Sequence, residues 1–277
     1  MFFLKILRHL MYVFLAYIFT LIYLKKFFFK KFKNKFFISS KNANSKKDHI
    51  INKKNQDQKV TVVLTCCSRP QELEITLNSF ILYNTFPIFK FIIIEDGLCN
   101  YSEKIVCRIL NGYNFEYIKN KKNLGQLKSI DIAYKKVTTK YIFHLEEDWI
   151  FTRKNFIEKS MEILEANNDC LFFSLRSAKE QNNHPLKICN KNNKFLQHIP
   201  FWKGCWAGFG FNPSLRRTSD YYKLIGGMNL SFNTREICIG LFYFIIGLRV
   251  YVMNYDEASF VTHIGEKSST YKKFKKA

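Results

Sequence analysis

Short apolar runs alternate with amphipathic segments through the first half of the chain beyond residue 58. Four apolar runs have the length and the β-branched and aromatic content of buried strands: residues 59–65, 89–94, 115–118 and 141–145. Three segments between them repeat apolar side chains at helical spacing: residues 71–83, 103–111 and 126–136. This alternation predicts a single α/β domain with a mostly parallel sheet between layers of helices.

The second half of this domain has a weaker pattern. Residues 201–211 are rich in aromatic side chains and glycine, and residues 214–224 predict a helix. A further helix is expected to begin near Thr234, because apolar residues follow at helical spacing. Residues 249–255 predict another strand.

The amino-terminal segment predicts a membrane attachment. Leu10 to Leu24 is an uncharged run of 15 residues, which is short for a bilayer span of about 20 residues. Lysines follow it in place of a small-residue cleavage site, so we expect residues 1–24 to be an uncleaved single-pass anchor. The alternative is a helix that lies on an anionic membrane surface. Residues 25–59 are basic and polar and predict a stem, which leaves residues 60–277 as the main folded domain.

Net charge bears on the orientation of this anchor and on the binding partners. Residues 1–59 contain 14 basic and 2 acidic side chains, which accounts for +12 of the net charge of +22. Most of these lysines follow the apolar run, so the positive-inside rule puts the main domain on the cytoplasmic face, with the Golgi lumen as the alternative. A nucleic-acid partner is not expected, because the chain has no zinc-finger, helix-turn-helix or RNA-binding signature.

Three consecutive acids follow the last predicted strand of the first half: Glu146, Glu147 and Asp148. Adjacent carboxylates repel one another unless a cation neutralises them, and Mn²⁺ or Mg²⁺ prefers carboxylate oxygens together with substrate phosphates. This pattern favours a metal site for a phosphorylated ligand. The alternative is a solvated acidic turn in which Asp148 caps the following helix.

Polar side chains end two other predicted strands, namely Ser68 with Arg69 and Glu95 with Asp96. In a parallel sheet these ends meet the three acids at one edge, where open α/β sheets bind ligands. The convergence predicts a nucleotide-diphosphate site. It is not a dinucleotide-binding Rossmann site, because Cys-Cys-Ser-Arg-Pro follows the first strand where Gly-x-Gly-x-x-Gly would stand, and no P-loop is present.

Together these motifs resemble the family-2 glycosyltransferases of GT-A fold. Four motifs carry the resemblance in chain order: Val60–Pro70, Ile92–Gly97, Asn123–Gly125 and His144–Trp149. Glu146-Glu147-Asp148 stands where that family has Asp-x-Asp, with Glu in place of the first Asp. The resemblance implies a metal-dependent, inverting transferase of hexosyl or N-acetylhexosaminyl type. Its donor would be a nucleotide diphosphate sugar of UDP or GDP type, and its acceptor a hydroxyl of a glycan, lipid or protein.

The resemblance also implies roles for individual residues. Asp96 would contact the base, Asp148 would hold the metal, and Glu146 would lie near the ribose or a metal-bound water. The remaining donor-binding candidates are Ser68, Arg69, Asn123, Gly125 and Glu147. His263 stands where related enzymes place another metal ligand, although it is equally interpretable as a hydrogen-bonded surface residue.

Acceptor-side roles fall in the second half. Gly226 and Gly227 resemble the family's acceptor-side glycine pair, and Trp202 and Trp206 are candidates for stacking on a sugar, with core packing as the alternative. Glu236 would be the general base; the alternative is a carboxylate that is favoured by the dipole at a helix start. Two other functions stay open, a nucleotidyltransferase of similar fold and a non-catalytic sugar- or membrane-binding protein.

Overall fold

The computed structural model describes residues 59–97, 99–188, 195–200, 206–224, 227–229 and 236–265. The predicted anchor at residues 1–24 and nearly all of the predicted stem lie outside this part, as do Trp202, Gly226 and Thr234. Within the described ranges, no helix combines the length and apolar content that a membrane crossing needs.

The main sheet is built by the strand–helix alternation that the sequence predicts. Its elements are β1 (Val60–Cys66), α1 (Pro70–Tyr83), β2 (Ile88–Glu95), α2 (Tyr101–Ile109), β3 (Phe115–Lys119), α3 (Gln126–Tyr134) and β4 (Tyr141–Glu146). The strand order is β3-β2-β1-β4, followed by β9 (Ser214–Arg217), and all pairs among the first four strands are parallel. The carboxyl ends of β1, β2 and β4 therefore meet at one edge, as the sequence predicts.

The second half of the chain adds two smaller sheets. Its elements are β5 (Trp149–Phe151), α4 (Phe156–Ala166), β6 (Cys170–Ser177), a 3₁₀ turn (Ala178–Glu180), β7 (Leu186–Ile188), β8 (Phe195–His198), β9 (Ser214–Arg217), α5 (Thr218–Tyr221), α6 (Glu236–Ile245), β10 (Arg249–Met253) and β11 (Val261–His263). One sheet has the order β6-β10-β8-β7, and β11 pairs with β5 in a two-stranded ribbon.

The helix predicted at residues 214–224 is wrong for its first four residues. Ser214–Arg217 is β9, which pairs antiparallel with Tyr141–His144 of β4, and only Thr218–Tyr221 is helical. The strand is fixed by a partner about 70 residues earlier and by Arg216, whose buried guanidinium lies over the ring of Phe172 at 4.8 Å. Neither contact can be predicted from the local spacing of apolar residues.

Two apolar cores lie on opposite faces of the main sheet. One gathers α1, α2 and α4 through residues such as Phe80, Val106 and Phe156. The other gathers α3, α5 and α6 through residues such as Ile130 and Tyr243. The sheet is thus covered on both sides, and its carboxyl edge is left for ligands.

Candidate active site

The acidic turn joins β4 to β5 and is held by α1. The Thr76 hydroxyl donates to the Glu147 carbonyl at 2.6 Å and accepts from the Trp149 N–H at 3.0 Å. Because β5 follows immediately and α4 begins only after Asn155, the alternative in which Asp148 caps a helix is wrong. Glu147 and Asp148 are buried, so the turn is not a solvated one either.

Arg69 neutralises two of the three acids. Its guanidinium donates from Nε and Nη2 to Glu147 at 2.8 Å, and from Nη1 to Asp148 at 2.8 Å. Burial lowers the pKa of Arg69, but the two carboxylates outweigh it and raise that pKa above its ordinary value. Glu147 also accepts the Cys67 N–H at 3.0 Å, so its carboxylate binds the loop after β1. Arg69 is therefore a fixed cation inside the site.

Asp148 keeps one carboxylate oxygen without a protein partner. Oδ2 accepts from Arg69 and lies 3.3 Å from Nε2 of His263, whereas Oδ1 is buried and has no hydrogen bond within the described ranges. Burial raises the pKa of Asp148, but the His263 hydrogen bond and the Arg69 charge together lower it. A side chain at position 265 would collide, since a Cβ added to Gly265 would lie 2.1 Å from Oδ2. A buried, ionised and unpaired oxygen of this kind suits a hard divalent cation.

The described residues contain no group of three or more His, Cys, Asp or Glu side chains arranged to hold a metal. Asp148 and His263 lie side by side and could supply two ligands to a metal ion. His263 is oriented by β11 and by its ring contact with Trp149 at 4.7 Å. Mg²⁺ and related ions are usually held by one or two carboxylates together with substrate phosphates. The residues present fit a cation that a diphosphate helps to bind.

Glu146 faces the α3 side of the turn and accepts a hydrogen bond from the Gln126 amide. Burial, then the negative charges of Asp148, Glu147 and Glu236, raise its pKa well above the ordinary value. Glu236 is thus among the charges that act on Glu146. A shared role of these two predicted site residues stays a prediction.

Glu236 is the first residue of α6 and is held by the segment before β9. Its Oε1 accepts the Phe211 N–H at 3.3 Å. Burial raises the pKa of Glu236, and the Phe211 hydrogen bond and the charge of Arg216 oppose that rise only in part. Partial burial distinguishes Glu236 from a helix-start carboxylate in water, and its role as general base stays a prediction.

Asp96 fixes the loop that opens α3. Its Oδ1 accepts from the Leu124 N–H at 2.7 Å, and its Oδ2 accepts from the Gly125 N–H at 2.8 Å. Asn123 donates to the Asp96 carbonyl at 3.0 Å. Gly125 has a φ of +87°, which favours glycine, so the loop conformation depends on that residue. Three of the predicted donor-binding residues therefore form one hydrogen-bonded unit.

Glu95, next to Asp96, has a structural role that its place at a strand end did not predict. It is fully buried, and its carboxylate accepts from the backbone N–H groups of Ser68 (2.9 Å) and Gly97 (2.7 Å) and from the Ser102 hydroxyl (2.6 Å). Ser68 is thus positioned through its backbone at a φ of +55°. Glu95 ties the loops after β1 and β2 together beneath Asp96.

Removal of the Asp96 carboxylate should weaken donor binding. Asp96→Ala leaves the Leu124 and Gly125 N–H groups unpaired, and a lost buried hydrogen bond costs about 1–3 kcal/mol. We expect a loss of donor affinity of that size in calorimetry with UDP- and GDP-sugars. The matched control is Asp131→Ala, which removes another carboxylate that binds backbone N–H groups, but on the opposite end of α3. Equal donor affinities for Asp96→Ala and the unsubstituted protein would remove Asp96 from the site.

Asp131 is a second residue that the sequence did not reveal as important. It accepts from the Met228 N–H at 2.7 Å, the Asn229 N–H at 2.9 Å and the Tyr221 hydroxyl at 3.0 Å. Gly227 has a φ of +91°, and an added Cβ there would lie 2.5 Å from the Asp131 carboxylate. The second glycine of the predicted acceptor-side pair therefore lets the chain approach Asp131. A charged residue between Ile130 and Ile132 on a helix was the available signal.

Asp131→Ala should destabilise the domain more than a surface substitution would. It strands several buried donors, and each unsatisfied buried group costs about 1–3 kcal/mol. We expect the urea midpoint to fall with the slope of the transition unchanged. A midpoint equal to that of the unsubstituted protein would show that the segment 227–229 is held by other contacts.

Trp206 belongs to a cluster of rings. Its indole N–H donates to the Phe209 carbonyl at 2.9 Å, and its ring lies 4.5 Å from that of His184 and 4.7 Å from that of His198. It is half-buried, so packing accounts for part of its surface and leaves an accessible part. Its proposed acceptor role stays a prediction.

Comparisons with known proteins agree with this geometry. A family model described as "Glycosyl transferase family 2" matches residues 61–220, more than half of the chain. No curated protein matches the sequence. TarS from S. aureus has a similar structure, with a TM-score of 0.54 and 13% identity over 73% of this chain and 36% of TarS.

Two further solved structures are similar. The mannosyltransferase PcManGT from Pyrobaculum calidifontis, in complex with GDP-Man and Mn²⁺, has a TM-score of 0.55 and 12% identity over 78% of this chain and 60% of its own. TarS 1-349 from S. aureus in complex with UDP-GlcNAc has a TM-score of 0.52 and 14% identity over 76% and 61%. The chain spans less than two thirds of each of these proteins, and at such low identities the TM-scores show a common fold alone.

Proposed function

Because the chain belongs to glycosyl transferase family 2, we propose that it transfers a sugar from a nucleotide diphosphate sugar to a hydroxyl acceptor. One observation carries the proposal: at the carboxyl edge of the sheet, one oxygen of the buried Asp148 carboxylate has no hydrogen-bond partner among the described residues. The solved relatives bind GDP-Man with Mn²⁺ and UDP-GlcNAc, which supports a donor of this class and a divalent ion. The hexosyl or N-acetylhexosaminyl identity of the sugar is a proposal of the same kind.

The roles of the acidic residues follow from their surroundings. Asp148, with His263, would hold Mn²⁺ or Mg²⁺, which when bound neutralises the charge of the leaving diphosphate. Arg69 places a permanent positive charge beside the same carboxylate, and a guanidinium is well suited to phosphate oxygens. Glu146 accepts the Gln126 amide and faces the cleft, where a ribose hydroxyl or a metal-bound water would be its partner.

Glu236 is the proposed general base. A buried carboxylate with a raised pKa accepts a proton more readily than an exposed one. Its charge also contributes to the raised pKa of Glu146, which supports a place for Glu236 near the acidic turn. An acceptor hydroxyl between Glu236 and the anomeric carbon would lose its proton to Glu236 as the new bond forms. A single displacement of this kind inverts the anomeric configuration.

The amino-terminal anchor and the location of the domain belong to the same proposal. The uncharged run from Leu10 to Leu24 supports attachment to a membrane, and the lysines that follow it support a cytoplasmic catalytic domain, with the Golgi lumen as the alternative.

A donor screen tests the proposed function. The full chain is incubated with UDP- and GDP-sugars, with Mn²⁺, with Mg²⁺ or with EDTA, and released nucleotide is measured. We expect release with one donor class in the presence of a divalent ion and none in EDTA. Release of pyrophosphate from a nucleoside triphosphate would favour a nucleotidyltransferase instead. Donor binding without turnover under every condition would favour a non-catalytic binding protein.

A further inference from the structure

The outer surface of α6 is apolar along its whole length. Glu236 is the only charged residue of this helix. Its core side consists of Ile239, Gly240 and Tyr243, which pack against the second core. The opposite side exposes large aliphatic side chains: Ile237 (39%), Ile245 (49%) and, just beyond the helix, Ile246 (41%).

This pattern differs from that of an ordinary surface helix. A helix on a soluble protein has charged or polar residues on its outer face, and one that is apolar all round is buried in protein or lipid. In α1, by comparison, the outer positions carry Gln71, Glu72 and Asn78 among isolated apolar residues such as Leu82. A contiguous exposed apolar surface marks a site where protein or membrane binds.

Other features of the same chain point to a lipid bilayer. The 15-residue uncharged run from Leu10 to Leu24 joins the domain through residues 25–58, which span at most about 120 Å even when fully extended. Residues 1–59 carry an excess of basic side chains, which anionic headgroups attract. Arg249 follows α6, with its guanidinium 3.8 Å from the Phe244 ring centroid and donating to the Phe244 and Leu248 carbonyls, which places a positive charge at the carboxyl end of this helix.

We propose that the outer face of α6, formed by Ile237, Leu241, Ile245 and Ile246, seats the domain on the surface of a bilayer. The helix begins at Glu236, so this docking turns the Glu236 side of the cleft toward the lipid. A consequence, which rests on the proposed function, is that the acceptor hydroxyl belongs to a membrane-borne amphiphile.

Tryptophan substitution tests the docking without any need for turnover. Ile245→Trp places the probe on α6, and the matched control Leu82→Trp places it on α1, where Leu82 is 69% exposed on the opposite side of the sheet. Each full-length variant is mixed with vesicles of phosphatidylcholine and phosphatidylglycerol whose acyl chains are brominated, with unbrominated vesicles as the reference. The emission of the unsubstituted protein is subtracted. If Ile245→Trp does not fold, Ile246→Trp carries the same probe.

We expect bromine to quench most of the emission added by Ile245→Trp, because interfacial helices lie about 5–10 Å into the headgroup and acyl boundary. The emission added by Leu82→Trp should stay unchanged. Equal quenching of both probes, or of neither, would overturn the proposal. A blue-shifted Ile245→Trp emission in the absence of lipid would also overturn it. Such a shift would mean that the outer face of α6 is already covered, by another part of the chain in a monomer or by a second copy in a dimer.

The docking and the activity can fail separately. If quenching is confined to the α6 probe and no nucleotide is released with any donor, the docking proposal stands and the transferase proposal fails. Nucleotide release without selective quenching would do the reverse.

Discussion

Asp148→Asn should abolish sugar transfer while the domain stays folded. Asparagine keeps the size of the side chain but removes the charge that would bind a divalent ion, and it leaves Arg69 with Glu147 as its remaining carboxylate partner. A metal contributes several kcal/mol of charge stabilisation in such reactions, which corresponds to a rate loss of about 10³-fold or more. The measurement is nucleotide release at saturating Mn²⁺ beside the thermal unfolding midpoint.

The control for this prediction is Asp220→Asn. Asp220 is also buried and also pairs with an arginine, at 3.3 Å from Arg217, but it lies away from the acidic turn. We expect the control to lower the unfolding temperature and to keep transfer. Transfer by Asp148→Asn at the normal rate, or transfer that persists in EDTA, would show that this carboxylate binds no essential metal.

Glu236→Gln should lower the transfer rate by about 10²–10⁴-fold while donor binding stays normal, since glutamine cannot take a proton from the acceptor. If Glu236 only complemented the helix dipole, the change would cost about 0.3–1 kcal/mol of stability and spare the chemistry. The measurement is kcat beside the unfolding midpoint.

Glu103→Gln is the matched control for Glu236→Gln. Glu103 lies in the first turn of α2, where the dipole acts on it in the same way, but it is exposed. A second readout is the pH dependence of kcat. The pKa of Glu236 is raised above 4.5, so the unsubstituted enzyme should lose activity as the pH falls through that raised value. A Glu236→Gln enzyme with normal kcat would identify another group as the base.

The strands β1 to β4 of the main sheet could be predicted because each is a short apolar run in a regular alternation with helices. The boundaries of β1 to β4 differ from the prediction by one residue or so, since polar residues mark each end. The same logic predicted that Arg69, Asp96 and Asp148 would share one edge. Each of these residues lies close behind the end of a parallel strand, so its position can be predicted without knowledge of long-range contacts.

The second half depends on contacts that spacing does not encode. β9 exists because β4 offers an edge to Ser214–Arg217, and β5 exists because Val261–His263 pairs with it. Glu95 and Asp131 bind mainly backbone N–H groups, which every residue has, so the sequence does not show which segments they hold. Oδ1 of Asp148 has no hydrogen bond among the described residues because Arg69 and His263 both contact Oδ2, and the sequence does not encode that arrangement.

The ribbon of β5 and β11 has a consequence for the synthesis of the protein. His263 reaches Asp148 across a sequence separation of 115 residues, and Gly265 closes against the same carboxylate. During translation, Arg69, Glu147 and Asp148 are therefore synthesised long before β11, which only then can pair with β5. Arg69 can neutralise both acids during that interval, whereas the histidine that completes the site arrives only after nearly the whole domain has been translated. Contacts of such long range form late in folding, so we expect the proposed metal site to form after the loops that would bind the nucleotide.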